Sequence, residues 1–94
     1  MRYVYVLRSQ KNRSCLYTGS TDNLERRLGE HNAGKSPHTA EERPWETILY
    51  ECYDNRRDAD KRERQIKGWS RAKKEALIAG DKQTLKNLSR RRLN

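Results

Sequence analysis

The hydrophobic pattern of this 94-residue chain changes its period along the sequence. Alternating or short apolar runs predict three β-strands, over residues 2–8, 15–19 and 45–53. Apolar residues instead recur at helical spacing in three later or intervening segments, over 23–32, 56–68 and 70–80. A chain of this length forms one domain. The order ββαβαα therefore predicts an α/β fold, a small three-stranded antiparallel sheet flanked by helices.

Local signals mark the ends of the predicted helices. Asp22 is a candidate N-cap, and Glu25 follows at the spacing of a capping box. Gly34 and Gly68 are placed where helices commonly end, and Ser70 is a candidate N-cap for the helix that follows.

The chain divides into a main part and a basic end. We expect the folded domain to span residues 1–80, with a basic C-terminal helix and tail over 81–94. The helix is predicted through about residue 90, and the tail "RRRLN" is expected to fray.

Two expectations concern packing. The third strand carries apolar groups on both faces, which predicts that both faces are covered. The helix over 70–80 is expected to turn Ala72, Ala76 and Leu77 inward, and Trp45 and Trp69 are expected to anchor the core.

The charge balance is strongly basic, with a formal net charge of +9 and a sequence pI near 9.9. Such a charge accelerates association with polyanions, of which nucleic acid is the commonest. A cationic protein without such a partner is the plainer interpretation, and a membrane-surface role is a weaker alternative.

The cysteines and the hydropathy of the chain indicate where in the cell the protein is expected. Cys15 and Cys52 have no zinc-type spacing, so we expect two reduced, partly buried thiols in a cytoplasmic protein. No signal peptide is evident, and no apolar run approaches the ~20 residues that span a membrane.

Polar residues occupy apolar positions of the first helix. At helical spacing, Leu28, His31 and Arg27 all lie within about 60° of Leu24, on or beside the buried stripe. Arg27 and His31 are four residues apart, so their side chains are neighbours. A structural interpretation is that Arg27 reaches round the helix to solvent while His31 is a satisfied core histidine.

The helix predicted over 56–68 also has a charged residue at an apolar position. Glu63 lies on the same stripe as Ala59 and Ile66, where a carboxylate is costly unless it is paired or bound to a metal. A salt bridge to Arg27 or another arginine is the structural alternative. Tyr5 and Tyr17 come from the two preceding strands, and this residue set is suited to phosphodiester hydrolysis.

Four ordered segments resemble the GIY-YIG nuclease superfamily, in its small single-domain, excision-nuclease-subunit-like branch. They are "VYV" (4–6), "YTG" (17–19), "RRLGEHNAGK" (26–35) and "ADKRERQIKGWSRAKKEALI" (59–78). The resemblance covers roughly residues 2–80. Val4 stands where the family often has glycine, a departure that concerns backbone packing because the side chain of Tyr5 is retained.

The resemblance implies a role for each matching residue. Tyr5 would activate or orient the attacking water, and Tyr17 would position phosphate and water. Arg27 would bind the scissile phosphate, and His31 would assist proton transfer. Glu63 would be the sole protein ligand of one Mg²⁺ or Mn²⁺ ion. Whether Tyr5 or His31 is the general base stays open.

The main hypothesis is a metal-dependent endonuclease that hydrolyses DNA phosphodiester bonds, selective for DNA structure, in repair or recombination. The alternatives are a nucleic-acid-binding or adaptor module that needs a protein partner for catalysis or lacks it, and a structural RNA-associated basic protein. Further candidate contacts to nucleic acid are Lys35, His38, Arg43, Arg56, Lys73 and Lys74.

Overall fold

Residues 1–81 form a three-stranded antiparallel sheet and three α-helices. The computed structural model describes residues 1–81, so the predicted helix and tail beyond residue 81 lie outside the described residues. The strands are β1 (Arg2–Ser9), β2 (Leu16–Thr21) and β3 (Trp45–Tyr53), and the helices are α1 (Leu24–Asn32), α2 (Arg56–Lys67) and α3 (Arg71–Ala79). A single 3₁₀ turn, Ala40–Glu42, lies in the loop before β3. The predicted fold class and element order are confirmed.

The strand that comes first in the sequence is central in the sheet, whose order is β2-β1-β3. β1 pairs antiparallel with both neighbours, and its Tyr5 lies opposite Gly19 of β2 and Tyr50 of β3. A register shift between Val6 and Leu7 interrupts the pairing with β3. Because side chains alternate along a strand, this register puts Tyr5 on the same face as Tyr17 and Gly19 of the neighbouring strand.

Each face of β1 packs against different helices. Val4 and Val6 form one core cluster with Ala59, Ile66 and Trp69, so α2 and the segment after it cover this face. The opposite face has its own cluster, in which α1 covers the sheet; its members are Tyr5, Leu7, Trp45, Cys15, Tyr17, Leu24 and Leu28. Trp45 and Trp69 are thus core anchors, as the sequence predicted.

The predicted N-cap of α1 is wrong by one residue. Asn23, not Asp22, caps the helix, and its side chain accepts a hydrogen bond from the Arg26 amide at 3.0 Å. Asp22 instead pairs with the Arg26 guanidinium at 2.5 Å. An amide oxygen caps as well as a carboxylate does, so two adjacent candidates could not be separated by residue type. The predicted ends at Gly34 and Gly68 and the Ser70 N-cap are confirmed.

The predicted burial of β3 and α3 needs correction. β3 is an edge strand, and Tyr50 is 56% exposed, so the strand is not covered on both faces. Cys52 is exposed as well, whereas Cys15 is half-buried, and both thiols are free.

In α3, Lys73 is buried and Ala72 exposed, the reverse of the expectation for Ala72. The Lys73 ammonium lies 4.2 Å from the centroid of the Trp69 ring, so a cation–π contact and a long apolar stem make burial of this lysine favourable.

Within residues 1–81, no helix has the length and apolar character needed to cross a bilayer.

Candidate active site

Tyr5 lies at the centre of the candidate site. The residue is 2% exposed on the central strand, and its hydroxyl lies against the backbone of Gly19. A Cβ built on Gly19 would be 2.3 Å from Tyr5 Oη, far inside van der Waals contact. The missing side chain at Gly19 is therefore what leaves room for the Tyr5 hydroxyl.

His31 is hydrogen-bonded at both ring nitrogens. It is completely buried, with Nε2 at 3.0 Å from Tyr5 Oη and Nδ1 at 2.8 Å from Thr39 Oγ1. The Tyr17 ring packs edge-on against the imidazole, with centroids 5.0 Å apart. The predicted inward orientation of His31 is confirmed, and its neighbours are hydroxyl and aromatic groups.

Burial sets the protonation of this pair. Burial, with the neighbouring Arg27 charge, lowers the pKa of His31 from 6.5 to about 4. Burial also raises the pKa of Tyr5 to about 12; Arg27 opposes that rise, and Tyr17 and Glu63 add to it. At neutral pH the site therefore contains a neutral imidazole beside a protonated phenol.

Arg27 borders the same pair from α1. Its side chain is 32% exposed, and Nη1 donates a hydrogen bond to Glu30 Oε1 at 3.0 Å. Its guanidinium also interacts with the Tyr5 phenol. A half-buried guanidinium with further N–H donors is suited to binding an anion at the mouth of the site.

Tyr17 connects the pair to α2. Its ring is half-buried, with a centroid 6.4 Å from that of Tyr5, and the Lys67 ammonium of α2 lies 5.8 Å from the Tyr17 ring centroid. The Lys67 side chain thus connects α2 to the Tyr17 ring.

Glu63 lies on the buried stripe of α2, as predicted. Ala59 and Ile66 on that stripe are fully buried, and the Glu63 side chain is 19% exposed. Its Oε2 is 2.7 Å from Lys67 Nζ. The structural alternative of a Glu63–Arg27 bridge is not what forms, because Glu63 pairs with Lys67 and Arg27 with Glu30, each inside its own helix.

The chemistry of Glu63 suits a hard cation. No group of three His, Cys, Asp or Glu side chains comes together as a metal cage within residues 1–81. Mg²⁺, however, binds through one or two carboxylates while substrate phosphate and waters fill its other positions. The Lys67 ammonium already places a positive charge against this carboxylate, so Glu63 fits such an ion.

A polar depression of about 530 Å³ adjoins Glu63. Residues of β1, β2 and α2 line it: Arg2, Ser20, Arg56, Asp60, Glu63 and Arg64. Arg2 Nε donates to Ser20 Oγ at 3.2 Å, and Arg56 lies 3.5 Å from Asp60. Three arginines against two carboxylates leave this surface net positive beside the candidate metal ligand.

The other candidate contacts to nucleic acid are dispersed. Lys35, His38, Arg43 and Arg56 are exposed, and Lys74 is half-buried. Arg43 donates to the Ala40 carbonyl at 2.7 Å. Lys73 is buried against Trp69, so its ammonium is directed to an aromatic ring and not to the open surface.

Sequence reasoning missed three residues of this region. Arg2 and Arg64 could have been identified from the sequence. Arg2 is two residues before Val4 on the strand, and Arg64 follows Glu63 on the helix. Thr39 had no such signal, because it lies in an irregular loop where periodicity is uninformative. Only the tertiary contact reveals its bond to His31.

Comparison with known proteins identifies the family of this chain. The family model of the GIY-YIG catalytic domain matches residues 1–76. A UPF0213 protein of Natronomonas pharaonis is 45% identical over 84 residues, which cover 84% of this chain and 92% of the relative. A UPF0213 protein of Syntrophus aciditrophicus is also 45% identical, over 81% of this chain and 87% of the relative.

A solved structure shows the same fold. The solution NMR structure of a UPF0213 protein from Bacillus halodurans superposes with a TM-score of 0.54 at 31% identity, covering 84% of each chain. The family model spans most of the chain, and the relatives are matched over nearly their whole length. The chain therefore belongs to the GIY-YIG family, a family of nucleases that generally depend on divalent metal ions.

Proposed function

We propose that this protein is a metal-dependent endonuclease that hydrolyses DNA phosphodiester bonds. The observation that carries the proposal is the buried hydrogen bond between Tyr5 Oη and His31 Nε2, beside the half-buried Arg27 guanidinium. A neutral imidazole bonded to a phenol is a general-base arrangement, and the guanidinium is a phosphate-binding group.

Arg27 acts as the phosphate anchor. Its planar fork binds two non-bridging oxygens of the scissile phosphate, and its charge opposes the negative charge that develops in the transition state. Glu30 orients the guanidinium from the same helix, at 3.0 Å. Tyr17 confines the phosphate and the attacking water from β2.

Tyr5 and His31 move the proton. The water oxygen bonds to phosphorus as the bond from phosphorus to the 3′ oxygen breaks, which gives a 5′-phosphate and a 3′-hydroxyl. The water proton passes to Tyr5 Oη while the phenolic proton passes to His31 Nε2. The leaving 3′ oxygen takes its proton from solvent.

Bound phosphate prepares His31 for this role. The positive charge of Arg27 contributes to the low pKa of the imidazole in the free protein. A phosphate anion on Arg27 offsets that charge, so substrate binding raises the basicity of His31 when a proton acceptor is needed.

Glu63 would hold one Mg²⁺ or Mn²⁺ ion, which would supply charge stabilisation at the phosphate and leaving oxygen. Lys67 would then have to release the carboxylate, because its ammonium lies 2.7 Å from Oε2. This exchange requires only side-chain motion, since Lys67 is 48% exposed.

The arginine-lined depression beside Glu63 provides a path for the DNA strand. Its three arginines outnumber its two carboxylates, so its surface beside Glu63 is net positive. Phosphate contacts of this kind position a strand without reading its bases. We therefore propose selectivity for DNA structure, such as nicks, flaps or branches, and a role in repair or recombination in the cytoplasm.

A cleavage assay tests the proposal. End-labelled duplex, single-stranded, nicked, flap and four-way-junction DNA are incubated with Mg²⁺ or Mn²⁺ and with wild-type protein, Glu63→Gln or Glu41→Gln. Glu41 is exposed on the 3₁₀ turn and serves as the matched charge control. Metal-dependent cuts by wild type and Glu41→Gln, absent with Glu63→Gln, are expected.

Two other outcomes would contradict the proposal. Equal cleavage by Glu63→Gln would refute the role of Glu63 as the metal ligand. Tight, salt-sensitive binding by all three proteins without any cuts would favour the nucleic-acid-binding or adaptor module, with a protein partner needed for chemistry.

A further inference from the structure

We propose that Thr39 is a positioning residue that fixes His31 in the tautomer protonated at Nδ1, so that Nε2 accepts the proton of Tyr5. This inference rests on the proposed function, and it identifies a residue outside the four segments that carry the family resemblance. It also orders the two candidate bases, with Tyr5 facing the water and His31 behind it as the proton acceptor.

Thr39 is held rigidly in its loop. It is completely buried, and its amide donates to the Ser36 carbonyl at 3.1 Å. Its own carbonyl accepts a hydrogen bond from Trp45 Nε1 at 2.9 Å. Trp45 is a core anchor at the start of β3, so the position of Thr39 is fixed by the hydrophobic core.

The Thr39 hydroxyl has one proton and two polar neighbours. Oγ1 lies 2.8 Å from His31 Nδ1 and donates to the Ser36 carbonyl at 3.4 Å. The Ser36 carbonyl can only accept, and in the proposed tautomer the hydroxyl donates to it while Oγ1 accepts from Nδ1–H. His31 then carries its proton on Nδ1 and presents a lone pair at Nε2.

The Tyr5 end of the chain fits the same direction. Within residues 1–81 the partners of its hydroxyl are His31 Nε2 and the Arg27 guanidinium, and arginine can only donate. Of these two partners, only an unprotonated Nε2 can accept the phenolic proton. In the proposed tautomer the phenol donates to Nε2, and its oxygen stays free to accept from Arg27 and from the attacking water.

In the proposed tautomer the chain of donors runs from Tyr5 to His31, from His31 to Thr39 and from Thr39 to the Ser36 carbonyl. When the phenolic proton moves, the O–H bond of Tyr5 breaks and an N–H bond forms at Nε2. The resulting imidazolium keeps Nδ1–H bonded to Thr39 without rearrangement. Thr39 thus stabilises both the neutral imidazole and the imidazolium, as hydrogen-bond partners of a functional histidine do.

Nitrogen-15 NMR of the histidine side chains tests the tautomer directly at pH 7.5. Three proteins are compared: wild type, Thr39→Val, which removes the hydroxyl at similar shape, and Thr39→Ser, which retains it. Exposed His38 is the internal reference for a solvated ring. The Nδ1–H pattern is expected for His31 in wild type and Thr39→Ser, and its loss in Thr39→Val.

Cleavage kinetics supply the second readout. At saturating DNA, Thr39→Val is expected to lower kcat about 10- to 100-fold with unchanged binding, as outer-shell partners of a functional histidine do. Thr39→Ser should stay within about threefold of wild type. Urea unfolding of each variant verifies that the folded protein is being measured.

The outcomes separate the two proposals. An Nε2–H pattern in wild type, or an unchanged tautomer and kcat in a folded Thr39→Val, would overturn the role of Thr39. The expected tautomers without cleavage of any DNA would uphold the hydrogen-bond direction and refute the endonuclease.

Discussion

The hydroxyl of Tyr5 fills the space that the absent side chain of Gly19 leaves open. A Cβ at Gly19 would lie 2.3 Å from Tyr5 Oη and 2.5 Å from Cζ. The two residues are register partners on β1 and β2, so neither strand can withdraw without breaking the sheet. Gly19 thereby fixes the hydroxyl in reach of His31.

Substitution of Gly19 should disable the site with a smaller effect on folding. Gly19→Ala is expected to displace the Tyr5 ring and break the 3.0 Å bond to His31. Loss of a general-base contact lowers the rate by about 10²-fold or more. Single-turnover cleavage on the preferred DNA measures the loss.

Gly29→Ala is the matched control. Gly29 is exposed on α1, and a Cβ built there meets nothing within 4 Å. Alanine in a helix interior stabilises by roughly 0.5–1 kcal/mol relative to glycine, so this variant should keep activity and unfold at higher urea. Full activity in Gly19→Ala would contradict the steric argument.

Acid should destabilise the folded protein through His31. Its pKa falls from 6.5 in the unfolded chain to about 4 in the folded protein. Between these pH values the imidazole binds a proton in the unfolded chain but not in the folded protein. The His31 contribution to the free energy of unfolding is therefore complete above pH 6.5 and falls as the pH drops towards 4. The contribution is on the order of 3 kcal/mol.

Urea unfolding of wild type and His31→Gln at pH 7.5 and 4.5 measures this linkage. Glutamine does not titrate. The ion-paired carboxylates titrate in both proteins, so their contribution to the pH dependence is the same in each. The free energy of unfolding should therefore fall less between the two pH values in the variant. Equal falls in both proteins would show that His31 does not carry the effect.

The arginine-lined depression should contribute to DNA binding through phosphate contacts. Arg2→Gln or Arg64→Gln is expected to weaken binding several-fold at low salt. Each should reduce the slope of log affinity against log salt by roughly 0.7–0.9, the value of one phosphate contact. Fluorescence anisotropy over a range of salt concentrations measures both quantities.

Arg13→Gln is the control for overall charge. Arg13 is exposed between β1 and β2 and pairs with Glu46, near the end of β1 opposite to Arg2. Its substitution removes the same charge while leaving the depression intact. Equal effects from Arg13 and Arg2 would mean that net charge alone drives binding.

Lys67 should compete with the metal ion for Glu63. Removal of its ammonium in Lys67→Gln is expected to lower the Mg²⁺ concentration for half-maximal cleavage by about two- to fivefold, the range of an exposed ion pair. Lys61→Gln, on the exposed surface of the same helix, is the control. A higher Mg²⁺ requirement would instead show that Lys67 supports the site.

Hydrophobic periodicity alone predicted much of the secondary structure and part of the candidate site. The change from strand to helix spacing predicted the order of elements, and the angular positions of His31 and Glu63 on their helices predicted that both turn towards the core. These predictions succeeded because they depend on which face of a single element is apolar, and that information is local.

Predictions that depended on neighbouring elements fared worse. β3 was expected to be covered on both faces, but the sheet order left it at an edge with Tyr50 exposed. Ala72 was expected to turn inward, but it is exposed, and Lys73 is buried with its ammonium over the Trp69 ring. Both outcomes depend on what lies beside the residue, which the pattern of one segment does not encode.

The sequence by itself determined the residue types of the site and the element that carries each of them, because helix and strand periods fix the direction of a side chain. Only the tertiary structure decided their pairing. It placed Tyr5 against Gly19 and Thr39 behind His31. Hydrogen bonds act over about 3 Å, so partners distant in the chain are selected only when the strands and loops have packed.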